Sequence, residues 1–278
     1  KKFEATGFFR THNDGTRWWL VDPEGFAFVS VGIDCIRSNA SGVISGQEDL
    51  FEWLPDTTEM IYRKGYSGRD KYVQADFYQF NMTRVFGERW REKWETITSG
   101  QIREFAVNTI GNWSDIEYAR KAQIPYVLPL SRFPSTEVKL FRDFPDVFAA
   151  EYAENAKAFA QLLNEFKDDK YLIGYFLRNE PTWAFGANDV AFEMFATTQP
   201  SESKKELAHW LAEKYGSIDE FNKNWNLKLA GFEAFSKQVF EEYPSEMAKA
   251  DFWKFSEVLV AKYVNVPCDE VEKVDPNH

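Results

Sequence analysis

The sequence predicts an α/β fold built on a parallel sheet, and three observations point to it. Short apolar runs alternate with amphipathic helical stretches, the pattern that right-handed βαβ crossovers impose. Those runs are apolar without alternation, as strands covered on both faces are. The clearest run, Tyr171-Leu-Ile-Gly-Tyr-Phe-Leu, ends abruptly in Arg178-Asn-Glu-Pro181. Pro181 cannot donate to a ladder, so the strand stops there. A carboxylate just beyond a buried parallel strand sits where barrel enzymes keep their chemistry.

Along the chain, Phe8-Phe9-Arg10 leads into the turn signal Asn13-Asp14-Gly15. Trp18–Val21 leads into a second turn, Asp22-Pro23-Glu24-Gly25. These two pieces are read as a hairpin. The following Phe26–Ile33 is read as the first parallel strand, with Asp34-Cys35-Ile36-Arg37 at its rim and Asp34 and Arg37 as candidate substrate contacts. Residues 38–82 show little periodicity and read as a long functional loop carrying Trp53, Tyr62, Tyr66 and Tyr72 to a cleft or into packing. A helix is expected over 83–104, with Trp90, Trp94 and Ile97 on one stripe. Strands are expected at 105–111 and 124–130, separated by a helix that Ser114-Asp-Ile-Glu117 would cap. A loop over 131–147 precedes a helix over 151–167, then the strand at 171–178. Ser203-Lys-Lys-Glu206 and Ser217-Ile-Asp-Glu220 read as capping boxes, and 245–273 as mostly helical.

Composition narrows the function. A formal net charge of -11 opposes a phosphate backbone or an anionic membrane as partner. The 26 Phe, 12 Tyr and 10 Trp suit a neutral ligand with apolar faces, and sugars fit. Three histidines without ligand spacing leave little material for a zinc site or a Ser-His-Asp triad; no metal or cofactor is expected. Cys35 and Cys268 could pair only if the fold brought their Cα atoms within about 7 Å.

Glycoside hydrolysis needs one carboxyl group to protonate the leaving oxygen and another to attack the anomeric carbon or activate water. Glu180 suits the first role, with burial behind Tyr175 and Trp183 expected. Asn179 can donate an amide N–H to a sugar hydroxyl, and Trp183 offers a flat apolar face to a sugar ring.

The stretch "YLIGYFLRNEPTW" resembles the fourth strand of the clan A retaining glycoside hydrolases. "GTRWWLVDPEGFAFVSVGID", "VNTIGNWSD", "WLAEKYGSIDEFNKNWN" and the terminal "VDPNH" are similar, in order, to segments of the β-agarase family and related β-galactosidases. The resemblance implies a (β/α)8 TIM barrel, of which residues 1–278 form one catalytic domain holding about the first four units. It implies Glu180 as acid/base, Asn179 on the sugar 2-hydroxyl, and Asn112 and Trp113 in the cleft.

In that clan the nucleophile is a Glu after the seventh strand. It is therefore expected beyond residue 278, in a longer enzyme, because a half-barrel leaves strand edges unpaired. The expected activity is retaining cleavage of a β-linked galactose-containing polysaccharide, from a secreted, periplasmic or cell-surface location. The alternatives are an exo-acting β-galactosidase and a non-catalytic sugar-binding protein on a decayed barrel.

Overall fold

A computed structural model describes all 278 residues. The chain forms two compact units. One comprises Lys1–Pro129 with Asp169–Tyr175, the other Leu130–Asp168 with Phe176–His278.

The first unit opens with the expected hairpin, Arg10–Asn13 antiparallel to Trp18–Val21. Its turn is tied by Asp14, whose carboxylate accepts from Thr16 and Arg17 N–H groups and from the Trp19 indole N–H. The run 26–33 splits, contrary to expectation. Ala27–Phe28 completes the antiparallel sheet, where Phe28 packs edge-on against Phe9. Only Gly32–Ile33 enters the parallel sheet, in register with Thr109–Ile110. Closeness explains the glycine: a Cβ at position 32 would lie 3.1 Å from the Thr109 carbonyl oxygen.

The four expected strands form one sheet in the order Leu172–Phe176, Tyr126–Pro129, Thr109–Ile110, Gly32–Ile33. Ile110 pairs with Tyr126 in parallel register. Tyr126 N–H then donates to the Tyr171 carbonyl at 2.9 Å. Each strand is shorter than its apolar run. Residues 105–107 are spent ending a helix, with Phe105 N–H on the Gln101 carbonyl and Ala106 at φ +55°. The run at 171–178 is fully buried only at Leu172. A Cβ at Gly174 would meet nothing within 4 Å, so the strand has open space beside it instead of cover on both faces.

Residues 38–82 are not a bare loop. They hold a three-stranded antiparallel sheet (Ser41–Val43, Tyr66–Ser67, Gln74–Asp76) with its own small core. Tyr62, Tyr66 and Trp53 pack around Phe80, whereas Tyr72 is exposed. The expected helix over 83–104 is two, Phe77–Phe86 and Trp90–Glu104, parted at Gly87 with φ +60°. The buried stripe of the second is Trp94, Thr98 and Ile102; Ile97 faces outward. Asp115, not Ser114, caps the helix Ile116–Ala122 by accepting from Tyr118 N–H.

In the second unit the spine is the 29-residue helix Glu246–Val274, capped by Ser245. Pro267 within it has no N–H for the Tyr263 carbonyl four residues back. The Tyr152 hydroxyl fills that vacancy, donating to the Tyr263 carbonyl at 2.6 Å. Tyr152 lies on Ala150–Ala160, which packs along the spine. Residues 131–147 contain a small hairpin, Lys139–Phe141 with Phe144–Pro145. Ser201 caps Glu202–Tyr215, two residues before the Ser expected. Ser203 instead donates its hydroxyl to buried Asp146, which also accepts from the N–H groups of Glu202 and Ser203. Ser217 caps Ile218–Trp225 as expected. Both cysteines are free.

Candidate active site

The predicted site residues divide between the units. Asp34, Arg37, Asn112 and Trp113 belong to the first; Asn179, Glu180 and Trp183 belong to the second.

In the first unit the loops after two neighbouring parallel strands are stitched together. Cys35 N–H donates to the Asn112 carbonyl at 2.8 Å, and Asp115 N–H to the Ile36 carbonyl at 2.8 Å. Ile36 N–H donates to the Ser114 hydroxyl at 3.0 Å. A Cβ on Gly111 would sit 1.9 Å from Asp34 Oδ1, so only glycine lets the two loops approach this closely. Asp34, Asn112 and Trp113 are thereby held at adjacent strand ends. Asn112 is half-buried, and its Oδ1 is a buried acceptor with no partner. Trp113, at φ +57°, is 43% exposed. Asp34 and Arg37 also line a pocket of about 260 Å³ with Trp94, Thr98 and Gln101 of the helix behind them.

In the second unit Asn179 and Glu180 follow Phe176 closely, and both are exposed. The expected burial of Glu180 is not found. Its φ of +38° breaks the strand's alternation and turns the residue outward. Trp183 is drawn the other way, edge-on to Phe144 at 5.1 Å and to Tyr263 at 5.4 Å. It is half-buried, with one side lining a largely apolar pocket of about 540 Å³ beside Trp253 and Val260.

A residue that sequence reading did not single out organises this loop. Asp143, at the turn of the hairpin 139–145, accepts from Thr182 N–H at 3.1 Å and from the Thr182 hydroxyl at 2.5 Å. It accepts from Trp183 N–H at 2.8 Å and forms an ion pair with Arg178. Partial burial pushes its carboxyl pKa up, but the Thr182 and Trp183 donors and the Arg178 charge outweigh this and hold it below the usual carboxylate range. Arg142 completes the grip by donating to the Thr182 carbonyl at 2.9 Å. Nothing in the local sequence marks Asp143, which lies 35 residues before the arginine that it meets.

Comparison with known proteins places the chain. Residues 134–278 match the glycoside hydrolase 42 family model, described as β-galactosidase. β-Agarase B of Vibrio sp. (strain JT0107) is 28% identical over 319 aligned positions, covering all of this chain and 33% of that protein. β-Agarase A of the same strain is 26% identical, covering 94% of this chain and 29% of that protein. The chain thus spans about a third of the length of the curated relatives it matches. Among solved structures, PfGH50B superposes with a TM-score of 0.85 at 27% identity, over all of this chain and 45% of that one. The agarase AgWH50C gives a TM-score of 0.86 at 23% identity, again over all of this chain and 45% of that one. These likenesses bear out the agarase resemblance, and the fold is that of part of a glycosidase barrel. With the family model spanning just over half of its residues, the chain belongs to the glycoside hydrolase 42 (β-galactosidase) family of glycoside hydrolases.

Proposed function

We propose that this chain carries the acid/base half of a retaining glycoside hydrolase that cleaves β-linked galactose-containing polysaccharide, as an agarase does. The observation that carries this is the Asn179-Glu180 pair, fixed just past a parallel strand on a loop held by Asp143, in a chain whose relatives include β-agarases. The first four β/α units of a barrel would supply the acid/base. The nucleophile would come from a later strand.

In the first step the Glu180 carboxyl gives its proton to the glycosidic oxygen as the bond to the anomeric carbon breaks and the nucleophile takes that carbon. In the second, Glu180 as carboxylate takes a proton from water, which displaces the nucleophile and restores the starting configuration. Asn179 would donate to the sugar 2-hydroxyl. Trp113 and Trp183 would offer faces to sugar rings, and Asp34, Arg37 and Asn112 would line the cleft. A polymeric substrate suits a secreted, periplasmic or cell-surface enzyme, and no helix of the chain is long and apolar enough to cross a membrane.

The test is the stereochemistry of hydrolysis by the full-length protein, followed by proton NMR on agarose oligosaccharides. Retention gives the β anomer first, before mutarotation. An initial α anomer overturns the double displacement. The family match to β-galactosidases favours one second reading, exo-acting release of galactose. Free galactose as the first product would select it.

A further inference from the structure

We propose that Asp143 is the positioning residue that sets the Glu180 carboxyl for proton transfer; this rests on the acid/base reading of Glu180 above. Asp143 touches both flanks of the Asn179-Glu180 pair and neither member of it. On one side is the Arg178 guanidinium. On the other are both donors of Thr182 and the N–H of Trp183. Its two oxygens divide the task, Oδ1 taking the Thr182 hydroxyl and Trp183 N–H, Oδ2 taking Thr182 N–H and Arg178.

Between these anchors Glu180 adopts φ +38°, a conformation that costs a non-glycine residue about 1 kcal/mol or more and persists only where its surroundings over-determine it. The turn Thr182–Phe185 has no local cap, because its N-cap residue is Pro181, which has no side-chain acceptor. A carboxylate brought from residue 143 supplies that cap. It also fixes where the chain turns, and hence where the Glu180 side chain leaves the backbone. A general acid displaced by even 1 Å loses much of its advantage. A cap alone would stabilise the turn; a cap spanning the acid/base residue also aims it.

The experiment compares Asp143→Ala and Asp143→Asn in the full-length enzyme, with Glu180→Gln in parallel. Each is assayed on agarose oligosaccharide and on an activated aryl β-galactoside, with melting temperatures recorded. Asp143→Ala is expected to lower kcat on the oligosaccharide roughly 10–100-fold, about the size of an acid/base contribution that is impaired but not removed. KM should change little, and the first, glycosylating step on the aryl substrate should fall far less, because its leaving group hardly needs a proton. Asp143→Asn, which keeps an acceptor for Thr182 and Trp183, should recover part of the loss and serves as the folded variant should the alanine fail to fold. Equal losses on both substrates by the asparagine variant, or wild-type rates in both variants, overturn the proposal. Should Glu180→Gln keep the oligosaccharide rate, the acid/base reading itself falls. Should it lose that rate while both Asp143 variants keep it, the positioning role alone falls.

Discussion

Trp183 stands edge-on to Tyr263, ring centroids 5.4 Å apart and planes at 78°, so the aromatic that follows the Asn179-Glu180 pair is rooted in the core of its unit. Phe144 meets the same indole in the same way at 5.1 Å. The residue expected as a sugar platform is thus also a packing residue. Trp183→Ala should therefore lower unfolding free energy by about 2–3 kcal/mol, below the range for a fully buried aromatic because Trp183 is only half-buried. Guanidinium titration checks this. A stability unchanged within error would return Trp183 to the role of a surface platform.

Asp251 anchors the same unit from the long helix. Its buried carboxylate accepts from the Tyr215 hydroxyl at 2.6 Å and the Trp225 indole N–H at 3.0 Å, and pairs with Lys214. Removing it strands a buried indole donor and a half-buried phenol. Asp251→Ala is expected to cost about 3–4 kcal/mol, and Asp251→Asn less, since an amide oxygen still accepts. Equal costs for the two variants would show that charge, and not the acceptor, is what matters.

Asp143 gives a pH dependence whose sign is fixed. Its folded-state pKa is lowered, so the folded protein holds that proton less tightly than the unfolded chain does. The stabilisation is present above the ordinary Asp value of about 3.9 and is lost as pH falls through the depressed folded value. The gap in Tm between wild type and Asp143→Asn should be steady from pH 8 to about pH 5 and shrink below about pH 4. A gap that widens on acidification would contradict the assignment.

Local signals were legible wherever a residue and its partner lie within a few positions of each other. Ser217 accepts from Glu220 N–H as its spacing implies, and the four parallel strands follow one another as their apolar runs suggest. Distant partners leave no local signal. Ser203 looked like a cap, but its hydroxyl goes to Asp146, 57 residues away, and Ser201 takes the capping role. The aromatics of residues 38–82 were open to a cleft or to packing; Trp53, Tyr62 and Tyr66 pack around Phe80 of the helix Phe77–Phe86, in a core that short strands without periodicity help to build, and Tyr72 stays exposed. The site shows the same division. Asn179-Glu180 was visible as a motif beyond a strand, whereas its clamp was not, since Asp143 acquires its partners only when the hairpin 139–145 meets the loop after Phe176. Glu180 was expected to lie buried behind Tyr175 and Trp183, but Trp183 packs instead on Phe144 and Tyr263, and Glu180, at positive φ, is exposed.

The central claim is that Glu180 supplies acid assistance, and the most direct measurement is Glu180→Gln in the full-length enzyme on two substrates. Glutamine keeps the shape of the side chain and removes its transferable proton. Hydrolysis of agarose oligosaccharide should slow by roughly 10²–10⁴-fold. The burst of aryl alcohol from an activated aryl β-galactoside should stay within a few-fold of wild type, because that leaving group departs without a proton. Near wild-type turnover of the oligosaccharide would contradict the account and remove Glu180 from the mechanism.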